Sequence, residues 1–271
     1  MIDTHCHLSH DRFRADRDAV LERARVAGVT AVIEVGWDLA SSRAAVELAR
    51  WHPGRLFPAA GIHPHYVADA PADAIATLHT LATSGTPLVA IGETGLDFYR
   101  DLSPRERQEE LFRAHIQLAR ALGLPLIVHS REATARTIEI LAAETAGGDE
   151  HFAGGVLHCF SGNRSEARKA TELGLLLGFG GTLTYGDGEL AAVAREVPAT
   201  ALLLETDAPY LAPVPHRRER NEPARMATAR AHLAAFRGVS GDEIDRVTTE
   251  NARHLFRLPI AAGQPAAGVV R

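Results

Sequence analysis

PLVAIGETGLD, at residues 87–97, is the stretch that most clearly indicates the fold, because a short apolar run leads directly into the carboxylate of Glu93. A run of this kind, without alternating polar residues, is typical of a strand that is buried on both faces of a parallel sheet. Comparable runs are AVIEVG at residues 31–36, PLIVH at residues 125–129 and ALLLE at residues 201–205. Because helices normally cover both faces of such a sheet, these runs predict an α/β protein.

Eight strands are predicted in all, and stretches with helical periodicity separate them. The strands are expected at residues 2–6, 31–35, 56–61, 88–92, 126–128, 155–158, 175–179 and 201–205. This alternation over 271 residues favours a single-domain (β/α)8 TIM barrel, with an open doubly wound sheet as the alternative. The barrel is expected to occupy residues 1–258, followed by a C-terminal tail at residues 259–271.

The longest predicted helix follows the fourth strand, at residues 103–122. Ser103 is expected to be its N-cap and Pro104 its first residue. Glu106 stands three residues after Ser103, which completes the pattern of a capping box.

The composition narrows the classes of protein that are possible. Asp and Glu total 34 against 29 Lys and Arg, giving a formal net charge of -5. This argues against a protein that coats duplex DNA through a broad basic face, although metal ions can still meet phosphate inside a cleft. Two cysteines are too few for a disulfide scaffold, and no apolar run approaches a membrane span. We therefore expect a cytoplasmic protein without membrane association and without an obligate protein partner.

The first predicted strand carries two histidines close to its end, His5 and His7. Residues two apart on a strand point the same way, so both imidazoles can reach one metal ion. Asp3 lies on the same strand, and burying three such groups without partners would be costly.

Similar side chains follow other predicted strands. In a barrel, the carboxyl ends of all strands meet at one mouth, where active sites lie. The strand ends therefore predict a centre for one or two divalent ions with six ligands: His5, His7, Glu93, His129, His158 and Asp207. Imidazole and carboxylate donors suit Zn and Mn, and with enough water also Mg.

Lysine usage bears on how two ions would be bridged. Many two-metal barrels use a carboxylated lysine as the bridge, but the only lysine, Lys169, falls in a predicted helix. Glu93, on the fourth strand, is therefore the expected bridge.

Further polar and aromatic residues near the strand ends can each be interpreted in two ways. Glu205 shares a strand face with Asp207, so it either orients a metal ligand or caps local backbone. Tyr99 either stacks on a nucleobase or packs as part of a lid. Arg131 and Arg220 either contact phosphate or sugar, or form solvated charges and loop ion pairs.

The motifs together resemble those of the TatD family of metal-dependent deoxyribonucleases, in the amidohydrolase superfamily. They run in the family's order from Asp3 to Pro223 and cover nearly the whole chain: DTHCHL, GIHPH, GETGLDFY, HSR, HCFSG and ETDAPYL, then PHR and RNEP.

The resemblance implies a metal-activated phosphodiesterase and a division of the ligands between two ions. One ion would be held by His5, His7, Glu93 and Asp207, and the second by Glu93, His129 and His158. The implied catalytic residues are Asp207, Glu93 and His63. Asp207 would orient or deprotonate the attacking water, and His63 would contact the scissile phosphate, with His65 as a further substrate contact.

The implied activity is hydrolysis of DNA phosphodiester bonds, as a 3′→5′ exonuclease on single strands. Two alternatives stay open. The same scaffold can cleave other esters or amides, for example as a D-aminoacyl-tRNA deacylase, because the ligand set alone does not select the scissile bond. A non-catalytic metal-binding protein is the third interpretation.

Overall fold

The computed structural model describes residues 1–146 and 152–259, and its strands form one eight-stranded parallel sheet. The strands are β1 (Ile2–Cys6), β2 (Ala31–Val35), β3 (Leu56–Ala60), β4 (Ala90–Asp97), β5 (Leu126–Arg131), β6 (Gly155–Leu157), β7 (Leu175–Phe179) and β8 (Leu202–Leu204). Each strand pairs with the next in sequence, which confirms the predicted TIM barrel and excludes a doubly wound order. The tail expected at residues 259–271 lies outside the described residues from residue 260 onward.

The seam between the first and last strands is joined by the segment that follows β8. The backbone N–H of Asp207 donates to the carbonyl of His5 at 2.9 Å, and that of His7 donates to the carbonyl of Ala208 at 2.8 Å. These bonds extend the pairing at the carboxyl ends of β1 and β8, where the predicted metal ligands lie.

Nine α-helices surround the sheet within the described ranges. They are α1 (Arg17–Val26), α2 (Leu39–Trp51), α3 (Ala74–Thr83), α4 (Arg105–Leu122), α5 (Thr134–Glu144), α6 (Arg164–Glu172), α7 (Glu189–Glu196), α8 (Met226–Arg237) and α9 (Gly241–Phe256). In α4, Phe112, Ile116 and Ala119 recur at helical spacing and are buried in the layer between helices and sheet. Across residues 1–146 and 152–259, no helix is long and apolar enough to cross a membrane.

A smaller apolar cluster fills the inside of the barrel. Ile127 on β5 and Val156 on β6 belong to it, together with Leu255 and Phe256 from α9 at the opposite end from the mouth. Because side chains two apart share a strand face, Ile127 lies beneath His129. The barrel interior is therefore a packed floor below the site.

Strand β4 extends further than predicted, to Asp97 instead of Gly92. Gly92 and Gly95 resemble strand breakers in sequence, yet the strand passes through both. At Gly95, φ is +132° and an added Cβ would lie 2.1 Å from the carbonyl oxygen of His129. Glycine therefore allows β4 and β5 to approach closely, which carries the strand past Glu93 to Asp97.

The predicted start of α4 is wrong by one residue. The helix begins at Arg105, and Pro104 occupies the N-cap position without a side-chain cap. The Ser103 hydroxyl instead accepts the backbone N–H of Ala68 at 3.1 Å and donates to the carbonyl of His65 at 3.3 Å. Ser103 thus ties the loop after β4 to the loop after β3.

Candidate metal centre

Four side chains at the carboxyl ends of β1, β4 and β8 bring ligand atoms together: His5, His7, Glu93 and Asp207. The Nε2 atoms of His5 and His7 are 3.2 Å apart. Glu93 Oε2 lies 3.4 Å from His5 Nε2, and Asp207 Oδ1 lies 3.4 Å from His7 Nε2. Atoms bound tetrahedrally to one cation at about 2.0–2.2 Å would be about 3.3–3.6 Å apart. These spacings fit one divalent ion, and we call the set the β1 cluster.

A second group of ligand atoms gathers on the other oxygen of Glu93. Glu93 Oε1 lies 3.1 Å from His129 Nδ1 and 2.8 Å from His158 Nε2, and these two nitrogens are 3.2 Å apart. His63 Nε2 lies 3.5 Å from the same oxygen. We call Glu93, His129 and His158 the β5 cluster. Because one carboxylate oxygen serves each cluster, Glu93 has the geometry of a bridging ligand.

Hydrogen bonds behind the ligands select which ring nitrogen faces each cluster. Asp97 Oδ2 accepts from His129 Nε2 at 3.2 Å and from His65 Nε2 at 2.7 Å. His7 Nδ1 donates to the carbonyl of Val35 at 2.8 Å. The lone pairs of His129 Nδ1 and His7 Nε2 are then directed at the clusters, which is the usual support of a metal-bound histidine.

Glu205 lies beneath both clusters. One of its oxygens accepts the backbone N–H of Cys159, directly after His158, and lies 3.8 Å from His158 Nδ1. An added Cβ at Gly178 would lie 2.2 Å from the Glu205 carboxylate, so glycine on β7 makes room for it. The buried Nδ1 atoms of His5 and His158 have no hydrogen-bond partner among the described residues. Glu205 therefore accepts a hydrogen bond from the backbone beside a ligand, and its role in orienting that ligand stays a prediction.

Burial and the neighbouring charges distribute protons unevenly over the histidines. Burial lowers the pKa of His5 to about 4. Burial also disfavours a proton on His7, but the Asp207 carboxylate outweighs this and raises the pKa of His7 to about 9. At His129 burial is likewise outweighed, by hydrogen bonds with Asp97 and then Glu93, and the pKa rises to about 9. Each cluster thus contains at least one histidine that is protonated at neutral pH without metal.

The two histidines after β3 also face the centre. His63 is buried, and its Nδ1 accepts the backbone N–H of His65 at 3.0 Å. His63 Nε2 therefore carries the ring proton and points at the β5 cluster. His65 is a quarter exposed and bound to Asp97, which places it at the edge of this cluster.

The remaining expected substrate contacts lie farther out. The Arg131 guanidinium stacks on the Tyr99 ring at 4.0 Å, so these two residues form one unit on the rim. Arg220 makes two hydrogen bonds of 2.7 Å to Asp16. This geometry matches the loop ion pair that was the alternative for Arg220, and a substrate contact from it stays a prediction.

Three residues of the site were missed in the sequence. Asp97 lies on the same strand face as Glu93, four residues on, and that spacing is a signal that identifies it. Trp37 and Tyr210 follow β2 and β8, and their rings lie 5.2 Å and 6.1 Å from the ring of His7. Their positions just after strand ends were a weaker signal, because an aromatic residue there can equally be a packing residue.

The family model described as TatD related DNase matches residues 2–257. The chain belongs to the TatD family. This confirms the family resemblance of the motifs and fits the histidine and carboxylate donors at the barrel mouth. The coarse activity, a metal-dependent hydrolase, agrees with the names of TatD relatives.

Two relatives illustrate the range of those names. The uncharacterized metal-dependent hydrolase YabD of Bacillus subtilis is 36% identical over 259 residues, covering 95% of this chain and 99% of YabD. The 3′-5′ ssDNA/RNA exonuclease TatD of Pantoea vagans is 39% identical over 264 residues, covering 95% of this chain and all (100%) of that protein. Both likenesses extend over essentially the whole TatD barrel.

A solved TatD structure shows the same architecture. YjjV, a TatD homologue from Escherichia coli K12, superimposes with a TM-score of 0.89 at 32% identity, over 96% of this chain and 98% of YjjV. A phosphotriesterase homology protein from Escherichia coli has a TM-score of 0.68 at 19% identity, which shows a shared fold alone.

Proposed function

We propose that this protein is a nuclease that hydrolyses DNA phosphodiester bonds and removes nucleotides from single-stranded ends in the 3′→5′ direction. The observation that carries the proposal is the division of Glu93 between two clusters of ligand atoms, one on each carboxylate oxygen. Paired cations held in this way are a common solution for phosphodiester hydrolysis, because the attacking and leaving oxygens both carry negative charge.

The residues present fit one or two divalent ions, of which Mg, Mn and Zn are the candidates. In the proposed site the β1 cluster would hold one ion, and the β5 cluster would hold the other. When bound, such ions supply Lewis acidity and lower the pKa of water at the site. The side chains of the protein then have three tasks: to hold the phosphate, to accept a proton and to exclude bulk water.

Asp207 is the proposed proton acceptor. Burial raises the pKa of its carboxyl, but the hydrogen bond from His7 and then the charge of His158 outweigh this and lower it. Its backbone is fixed on both sides, since its N–H donates to His5 and its carbonyl accepts the N–H of Tyr210 at 2.8 Å. An ionised, immobile carboxylate at this point is suited to orient water and take its proton.

His63 is the proposed contact for the scissile phosphate. Burial lowers its pKa well below the ordinary value, so the ring is neutral. Because Nδ1 accepts the backbone N–H of His65, the single ring proton is on Nε2 and can be donated to a phosphoryl oxygen. A neutral donor stabilises developing charge on that oxygen without competing with cations for the site.

The form of the nucleic acid follows from charge and access. The net charge of -5 provides no broad basic face for duplex DNA. The ligands lie buried at a barrel mouth, where a strand end enters more easily than a continuous duplex. The exonuclease name of the Pantoea vagans relative supports the same class and adds RNA as a substrate to test. A cytoplasmic location stays a prediction.

The deciding experiment is an activity panel with Mg, Mn or Zn added to the purified protein. Substrates are 5′- and 3′-labelled single-stranded DNA, duplex DNA, RNA and a D-aminoacyl-tRNA. We expect a ladder from 5′-labelled single strands and immediate release of mononucleotide from 3′-labelled strands. Deacylation without any degradation of nucleic acid would establish the ester hydrolase instead. Metal binding with no hydrolysis of any substrate would leave the non-catalytic interpretation.

A further inference from the structure

Exposed apolar side chains are concentrated at the mouth of the barrel. Nine large hydrophobic residues are exposed within residues 1–146 and 152–259, and six of them follow strands β3, β4 and β8. These six are Tyr66, Tyr99, Leu102, Tyr210, Leu211 and Val214. The rim of a highly polar metal centre is therefore apolar, which suits a ligand with both a charged group and a flat apolar part.

Three aromatic residues line one side of this rim, and we call them the aromatic wall: Trp37, Tyr66 and Tyr210. They follow β2 and β8, which flank β1 in the closed sheet, and β3, which pairs with β2. The ring of Tyr66 lies 6.4 Å from that of His63, and the ring of Tyr210 lies 6.1 Å from that of His7. The wall thus stands beside the β1 cluster and beside the proposed phosphate contact.

The tyrosines of the wall differ from the other two tyrosines of the chain. Tyr99 carries the Arg131 guanidinium on its ring at 4.0 Å, and Tyr185 carries that of Arg217 at 3.9 Å. Tyr66 and Tyr210 have no stacked guanidinium within the described part of the chain. They are 41% and 45% exposed, so part of each side chain is accessible to a bound molecule.

The hydroxyls of the wall are also free for a ligand. Tyr185 donates its hydroxyl to the carbonyl of Ala212 at 2.8 Å. In contrast, no hydrogen bond joins the hydroxyl of Tyr66 or Tyr210 to another described residue. Burial raises the pKa of both phenols, so they stay neutral and add no negative charge beside a phosphate.

We propose that the aromatic wall is a base-stacking subsite for the nucleotide adjacent to the scissile phosphate, with Tyr210 as its principal ring. The proposal rests on the nuclease function proposed above and names how that substrate is held. Stacking uses the face that every base has, so the subsite binds without base preference. It also explains how a protein of negative charge holds a nucleic acid near its metal centre.

The test pairs a change in the substrate with a change in the protein. The substrates are one single-stranded DNA oligonucleotide and two copies that carry an abasic residue at the 3′-terminal or the adjacent position. For the wild-type protein we expect kcat/KM to fall about tenfold on the copy whose missing base would occupy the subsite, mainly through a higher KM. Tyr210→Leu should show a similar fall in kcat/KM on the normal oligonucleotide. It should also cleave the normal oligonucleotide and that abasic copy equally well.

Two further variants separate stacking from general damage. Tyr210→Phe keeps the ring and should retain the discrimination. Trp51→Leu changes an exposed aromatic side chain at the end of α2 and should match the wild-type protein. Thermal unfolding of each variant checks that the fold is intact. Equal cleavage of all three oligonucleotides by the wild-type protein, or full discrimination in Tyr210→Leu, would overturn the subsite.

A binding measurement keeps this inference separate from the nuclease proposal. An oligonucleotide with 2-aminopurine next to its 3′ end is titrated with metal-free protein, and stacking is read as quenching of its fluorescence. We expect quenching with the wild-type protein and with Tyr210→Phe, and a clear loss with Tyr210→Leu. Quenching without cleavage under any metal condition would refute the nuclease and retain the subsite. Cleavage without Tyr210-dependent quenching would refute the subsite and retain the nuclease.

Discussion

The β1 and β5 clusters share Glu93 but are held in place by different means. In the β1 cluster, backbone bonds across the seam fix the ligands, as Asp207 N–H donates to His5 and His7 N–H donates to Ala208. In the β5 cluster, a buried side chain fixes a ligand, because the Asp97 carboxylate accepts a hydrogen bond from the far side of the His129 ring. The first cluster therefore depends on closure of the barrel, and the second depends on a hydrogen bond that one substitution removes.

The largest effect is expected where the two clusters meet. Glu93→Gln removes the charge from both carboxylate oxygens, so binding of metal at each cluster should weaken together. We expect kcat/KM on single-stranded DNA to fall by more than about 1,000-fold, beyond the loss of about 10–100-fold from changes behind a ligand. Metal analysis of the purified protein should show reduced metal content. Glu250→Gln on exposed α9 is the control, and equal activity of the two variants would refute the bridging role.

Backbone geometry offers a way to test the close approach of β4 and β5. Gly95→Ala would place a Cβ 2.1 Å from the carbonyl oxygen of His129, at a φ of +132°. We expect a loss of about 2–4 kcal/mol in the free energy of unfolding, measured with urea. Gly54→Ala has a φ of +75° with no atom within 4 Å, so it reports conformational strain alone, about 1–2 kcal/mol. Equal losses would show that the close approach of β4 and β5 is unimportant.

Asp97→Asn tests the side-chain support directly. The carboxylate accepts bonds from His65, His129 and the backbone N–H groups of Tyr99 and Arg100, and an amide cannot accept all four. Metal affinity at the β5 cluster should fall about 10–100-fold, while the affinity at the β1 cluster is retained. Calorimetric titration with Zn should then show one weakened and one unchanged binding event. Exposed Asp101→Asn is the matched control, and weakening of both events would contradict separate support.

The pH dependence of metal binding should be similar at both clusters. With the pKa of His7 and that of His129 raised to about 9, each cluster holds at least one proton at neutral pH that a cation must displace. Affinity should therefore rise with pH, by about tenfold per unit for each proton released, and level off above the raised pKa. Calorimetry in two buffers of different ionisation enthalpy counts these protons. Release of none at pH 7 would show that both rings are already neutral.

Much of the fold follows from the sequence because apolar runs and helical periodicity are local signals. The end of β4 was mistaken, since Gly92 and Gly95 resemble breakers until their contact with β5 is known. Ser103 was mistaken because its hydroxyl finds partners in another loop, Ala68 and His65, in preference to the helix. Local propensity carries no information about such competition between tertiary and helical partners.

The candidate ligands were predictable because strand ends converge in a barrel wherever they stand in the sequence. Their support was harder to foresee. Asp97 is on the same strand face as Glu93, yet its two histidine partners lie on β5 and in the segment after β3. The ion pair of Arg220 with Asp16 depends on how two loops meet. Nor does the sequence indicate that Arg131 covers Tyr99 while Tyr210 stays open, because ring orientation depends on tertiary packing.

The packed floor of the barrel has a consequence for the movement of a nucleic acid strand. Ile127, Val156 and the α9 residues Leu255 and Phe256 fill the interior, so the chamber has a single opening. A nucleic acid strand therefore cannot be threaded through the barrel. In the proposed exonuclease, the released nucleotide would have to leave by the opening through which the shortened strand advances. In a nuclease of this shape, departure of the product and advance of the strand would compete for the same opening. Product release would then have to precede each new cut.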